Sequence, residues 1–268
     1  MKSLRYFLYL ASIALLLSSC TDDDIKADPT AGLTKISEGY ALGASAKVEL
    51  WAKEKLFAGY NSVFVALYDS VSGDRITDAH IHFHPEMTMM SMSHGCWFED
   101  PEEEAVNQIF PGAIAFIMPS GDMGSWELEI HIHNHHSNKE GEAKFDITVL
   151  NPSTPRIRSF VTDGGEKIFI AYNFKQEPKV GINDFELIAF SKEGDFNFIP
   201  VDDLSFSLEP EMPSMGHGSP NNVDPTLTQF GHYSGSVNFT MTGGWRLNLD
   251  VSQDAALIQE LYFDVALE

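Results

Sequence analysis

The chain is poor in cysteine: two in 268 residues, Cys20 and Cys96. If Cys20 is consumed by the processing argued below, one thiol remains. No intramolecular disulfide can then form, and stability rests on the core. Basic residues are also scarce, 17 Lys and Arg against 39 Asp and Glu, for a formal net charge of −22. A surface of that sign repels phosphate backbones and argues against nucleic-acid binding. Past residue 17 no apolar run is long enough to span a bilayer. Gly-x-Ser-x-Gly, the P-loop, the dinucleotide fingerprint and His-Glu-x-x-His are all missing, and no Ser/His/Asp spacing marks a triad. These absences read as a protein that is not an enzyme.

What is present begins with an address. Lys2 and Arg5 precede the apolar run Phe7 to Leu17, and Leu17-Ser18-Ser19-Cys20 follows. This resembles a bacterial lipobox, in which the cysteine is lipidated and becomes the mature N-terminus. The expectation is a signal peptide over 1–19, lipidation at Cys20 and an acidic tether over 20–33. The protein is then anchored to the outer membrane by lipid and faces the periplasm or the cell surface. Thr21-Asp22-Asp23-Asp24 resembles a surface-export signal.

The remainder repeats itself. Pro85-Glu86-Met87 recurs as Pro210-Glu211-Met212, and Met92-Ser-His94-Gly95 as Met215-Gly-His217-Gly218. Phe110-Pro-Gly-Ala-Ile-Ala-Phe-Ile-Met118 recurs as Tyr233-Ser-Gly-Ser-Val-Asn-Phe-Thr-Met241, and the segment from Trp126 recurs from Trp245. His94 to Phe110 and His217 to Tyr233 are both 16 residues. Order, residue type and spacing together indicate two tandem copies, over 34–151 and 156–268. Asn151-Pro-Ser-Thr-Pro155 is the connection, stiffened by its two prolines.

Within each copy the apolar period is two, as in Ala79 to His84, Trp126 to His133, Leu204 to Leu208 and Trp245 to Val251. Many short strands bounded by turn residues, with no helical period between them, predict an all-β fold. The expected architecture is two tandem immunoglobulin-like antiparallel β-sandwiches. Trp126 and Trp245 fall on the apolar faces of their strands and read as core residues.

Each copy carries a Met/His stretch that reads as a loop: Met87-Thr-Met-Met-Ser-Met92-Ser-His94-Gly-Cys96 in the first, Met212-Pro-Ser-Met215-Gly-His217-Gly218 in the second. Four methionines within six polar-loop residues are hard to explain as core filler. Thioether sulfur selects Cu(I), and imidazole serves either copper state. The candidate ligands are therefore Met212, Met215, His217 and Met241, and in the first copy Met87, Met92, His94 and Met118. Met89, Met90 and Cys96 are local additions, Cys96 a bystander unless its thiolate reaches a metal beside His94.

Met-Pro-x-Met-x-His, then x-Gly-x-Val-x-Phe-x-Met, then Gly-x-Trp-x-Leu, resembles the YtkA-like family. That is a small extracytoplasmic immunoglobulin-like sandwich, loosely similar to FixH and to copper-binding proteins of the CopC type. The resemblance covers residues 204–251 well. The first copy departs from it, with Thr88 in place of the proline and two inserted residues. The resemblance implies copper handling and a copper-handling protein as partner.

A second feature belongs to the first copy alone. His80, His82 and His84 alternate along one strand, and His131 and His133 along another, continuing to His135. Their neighbours are apolar, so the histidines face away from the core. Ser205, Ser207 and Glu209 replace the first trio in the second copy. If the two strands are neighbours, the imidazoles form one patch suited to Cu(II) or zinc.

The sequence thus predicts a lipid-anchored protein that buffers, sequesters or delivers copper through its Met/His loops. The alternative is a non-catalytic surface interaction module that meets a partner protein or a glycan.

Overall fold

The computed structural model describes residues 28–268. The expected signal peptide, Cys20 and most of the tether lie outside the described residues. Among the described residues every regular element is a strand. The first half contains β1 (Thr34–Ala41), β2 (Ala46–Ala52), β3 (Gly59–Asp69), β4 (Arg75–Ile76), β5 (Ala79–Thr88), β6 (Ser93–His94), β7 (Trp97–Glu99), β8 (Phe110–Phe116), β9 (Ser125–Asn134) and β10 (Lys139–Ile147). The second half contains β11 (Ile157–Val161), β12 (Lys167–Phe174), β13 (Gly181–Lys192), β14 (Phe198–Pro200), β15 (Leu204–Met212), β16 (His217–Gly218), β17 (Val223–Gln229), β18 (His232–Phe239), β19 (Gly243–Gln253) and β20 (Ala256–Leu267).

The sheets repeat in the same order. One sheet of the first half runs β1-β2-β3-β8-β7 with β4 on β3, and the other runs β10-β9-β5-β6. The second half gives β11-β12-β13-β18-β17 with β14 on β13, and β16-β15-β19-β20. Each half is an antiparallel immunoglobulin-like sandwich with its own core. Trp126, Phe83 and Phe116 fill the first, and Trp245, Phe239 and Phe263 the second. Alternation along the strands builds these cores: in β15 every second residue from Leu204 to Met212 is buried.

The same period changes one expectation. Met87 and Thr88 are the end of β5, and Ser93–His94 turns back to pair with them as β6. Met212 likewise pairs with His217. The Met/His stretches are therefore the tips of β-hairpins. Pro85 and Met87 continue the inward set of Ile81 and Phe83, which carries the strand further than composition indicates.

Two devices recur in both halves. Asn61 and Asn183 each fold back on the strand entry two and four residues earlier, where Gly59 and Gly181 adopt positive φ. The carboxylates of Asp100 and Asp224 each accept the backbone N–H of the facing strand, from Phe83 and Leu208, at 2.8 Å.

A third apolar cluster joins the two sandwiches. Trp97, Ala115 and Tyr60 of the first meet Phe169, Ile188 and Phe190 of the second. Trp97 stacks on Phe190 at 5.9 Å.

Candidate metal centre

Each sandwich ends in the same three-residue arrangement, and the tryptophan organises it. Trp126 Nε1 donates to the carbonyl of Met118 at 3.0 Å, and Trp245 Nε1 to the carbonyl of Met241 at 3.0 Å. This pins the methionine just beyond β8 or β18 over the tryptophan. The hairpin then brings a histidine edge-on to the indole: His94 to Trp126 at 5.5 Å, His217 to Trp245 at 5.9 Å.

In the first sandwich the arrangement closes. His94 is 5% exposed. Its Nδ1 lies 2.8 Å from the carbonyl oxygen of Gly95, and its Nε2 lies 3.3 Å from Met118 Sδ. Both neighbours are acceptors, and a neutral imidazole carries one proton. With Nδ1–H donating to Gly95, Nε2 is left turned toward Met118 Sδ, so one imidazole nitrogen and one thioether sulfur stand side by side as donors. A backbone carbonyl holding the far ring nitrogen is also how metal-bound histidines are commonly oriented. The donor set, one imidazole and one thioether, fits copper in its Cu(I) state.

The other sequence candidates take different places. Met87 and Met212 are buried, 0% and 3% exposed, beneath the cluster. Their Cε methyls occupy the space a Cβ would need at Gly124 and Gly243, 3.0 and 3.3 Å away. The inward period of β5 and β15 puts them there, in the cores of their sandwiches. Met92 and Met215 turn outward at the hairpin tips, 46% and 61% exposed. Met212, Met215, His217 and Met241 thus do not converge as a set of four. In the second sandwich His217 reaches Trp245, without the sulfur contact made in the first. Cys96 is 2% exposed, and burial pushes its thiol well above the ordinary value, so it stays protonated.

The two histidine-bearing strands are neighbours. On the outward face of β5, β9 and β10 the register places His80 beside His133 and His133 beside Glu140. The next row is His82, His131 and Glu142; the next is His84, Glu129 and Lys144. His82 Nδ1 pairs with Asp100 at 2.7 Å, His135 Nδ1 with Asp78 at 2.6 Å and His131 Nε2 with Glu129 at 2.7 Å. His84 stacks on Phe196 of the second sandwich at 5.8 Å and stands apart from the other imidazoles.

The carboxylates of this face, Asp100, Glu129 and Glu142, were not expected from the sequence. Asp100 had a legible signal: Asp100-Pro101 and Asp224-Pro225 are a further match between the copies. Glu129 and Glu142 had none, because cross-strand register decides their neighbours.

Fold and repeated end-site define a tandem immunoglobulin-like sandwich protein. Residues 167–250 match the family described as YtkA-like. The second sandwich is therefore a YtkA-like domain, and the first, with the same strand order and the same devices, is its tandem copy. No curated protein matches the chain in sequence. Among solved structures it is similar to a conserved domain protein from Bacillus anthracis, at 12% identity and TM-score 0.35, over 91% of this chain and 93% of that one. It is also similar to domains 5–6 of the S-layer protein SbsC, at 10% identity and TM-score 0.30, over 87% and 97%. A third is the Escherichia coli adhesin FdeC, at 15% identity and TM-score 0.26, over 86% and 66%.

Proposed function

We propose that the chain is a non-catalytic binding protein outside the cytoplasm that holds copper as Cu(I) between His94 and Met118. It would buffer the ion or pass it to a copper-handling partner. The observation that carries this reading is the 3.3 Å approach of His94 Nε2 to Met118 Sδ, with Nδ1 already committed to Gly95. The lipobox-like run ending at Cys20 supports attachment to the outer membrane by lipid. His217 and Met241 hold the equivalent positions on the second scaffold and are the candidates for a second site.

A second reading has its own observation. Met90, Met92 and Met123 stand 100%, 46% and 62% exposed at the same end of the first sandwich. Flexible methionines suit an adaptable contact surface for a partner protein.

The test is a Cu(I) titration of the chain from residue 21 against a chromophoric chelator, beside Met118→Leu and His94→Gln. The copper reading expects about two ions, with the tighter one lost in both variants. No competition with the chelator overturns it and leaves the contact-surface reading.

A further inference from the structure

We propose that the outward face of β5, β9 and β10 holds a divalent cation of the zinc class, ligated by Glu129, His131 and Glu142. This site is separate from the His94–Met118 pair and independent of the copper reading. The three residues offer ligand atoms that all lie within 4.8 Å of one another. His131 stands between the two carboxylates, with Nε2 2.7 Å from Glu129 Oε1 and Nδ1 4.0 Å from Glu142 Oε2, and it would give one of these nitrogens to the ion.

The strand geometry makes the cluster more than a chance of acidic composition. Glu129 and His131 are two apart on β9 and share its outward face, while Glu142 is the register partner of His131 on β10. The three positions are set by the backbone ladder. Glu129 is half-buried, and Lys144 holds its other oxygen, Oε2, at 2.5 Å. That contact fixes the carboxylate with Oε1 turned toward His131, as a partner outside the ligand set commonly does.

A second observation comes from the neighbouring strand. His82 is the register partner of His131 on β5, with ring centroids 6.3 Å apart. Its Nδ1 bonds to Asp100 at 2.7 Å, which leaves Nε2 for a ligand. The ladder thus sets His82 beside the trio, outside the set whose ligand atoms lie within 4.8 Å of one another. An open groove of about 870 Å³, lined by His80, His82, His131, His133, Glu140 and Glu142, gives room for bound water.

The second sandwich is an internal control. There the row equivalent to His82, His131 and Glu142 reads Ser207, Asp250 and Glu260. The same sheet in the same fold carries no imidazole on these positions, so neither folding nor packing demands one.

Imidazole with two carboxylates is a donor set for borderline divalent ions, and thioether sulfur has no part in it. The two sites therefore sort by softness, Cu(I) at the sandwich end and the divalent ion on the sheet face.

The experiment is a calorimetric titration of the chain from residue 21 with Zn(II), repeated with Co(II) as a spectroscopic probe. The variants are His131→Ala, Glu142→Gln, Met118→Leu and Asp250→Asn. The expected result is one ion per chain, with affinity reduced about tenfold or more in the first two variants and unchanged in the last two. The Co(II) visible bands would fade with His131→Ala. Equal affinity in all four variants, or no binding by the parent chain, overturns the proposal. Because the titrants and the sensitive residues differ, this outcome is independent of the Cu(I) result.

Discussion

His232, on β18 of the second sandwich, places Nε2 2.9 Å from Oε1 of Glu99, on β7 of the first. Its Nδ1 lies 3.2 Å from Glu186 on β13, so both ring nitrogens face carboxylates. Tyr60 and Trp97 donate to the same Glu99. The residue is 7% exposed, and its protonated form clamps the two sandwiches together beside the apolar contact of Trp97 and Phe190.

The clamp sets a pH dependence. Burial alone would lower the His232 value, but the hydrogen bonds to Glu186 and Glu99 outweigh it and push it up to about 9. A raised value means stability fully present below the unfolded histidine value, ~6.5, and lost as pH rises through about 9. Burial would raise Glu186, yet His232 holds its carboxyl below the usual range, so that contribution is lost on acidification. The parent chain should lose thermal stability between pH 7 and 10. His232→Gln should be less stable at pH 7 by about 1.5–3 kcal/mol and lose less over that interval. Parallel melting curves across the pH range for both proteins would contradict the clamp.

The paired asparagines predict equal losses in the two halves. Asn61 accepts from Phe57 N at 3.0 Å and donates to the carbonyls of Phe57 and Gly59, both at 2.8 Å. Asn183 accepts from Lys179 N at 2.9 Å and donates to the carbonyls of Lys179 and Gly181. Alanine at either site strands one backbone N–H and two carbonyls, a cost of about 2–4 kcal/mol. Denaturant unfolding should show that cost for Asn61→Ala and Asn183→Ala alike. A loss under about 0.5 kcal/mol would mean that the turns hold without the side chain.

Cys96 should be silent while the protein is folded. Its thiol is buried in the first core and burial holds it protonated. Reaction with a thiol reagent at pH 8 should be slow in buffer and complete in denaturant. Fast labelling of the folded chain would place the thiol at the surface, where its thiolate could reach a metal beside His94.

Much of the fold was legible in the sequence because duplication prints it twice. Period-two runs marked the strands, and the matches from Pro85 to Trp126 and from Pro210 to Trp245 marked the halves. The candidate site was legible only in outline. Sequence gives His94 and Met118 as residues of one motif, but their 3.3 Å approach depends on the Trp126 bond to the Met118 carbonyl, a contact eight residues apart. Met87 and Met212 misled by composition: alternation along the strand outranks the polar look of the segment and sends both inward. The register of β5, β9 and β10 decided the rest, since neither Glu129 nor Glu142 carries a local mark of what it faces. The meeting of His232 with Glu99, 133 residues away, was beyond any local pattern.

The most direct measurement of the central claim is copper K-edge absorption on the chain loaded with one equivalent of Cu(I). The account predicts nitrogen at about 2.0 Å and sulfur at about 2.3 Å in the first shell, with the sulfur contribution reduced in Met118→Leu. A first shell of nitrogen and oxygen alone, unchanged by Met118→Leu, would contradict it.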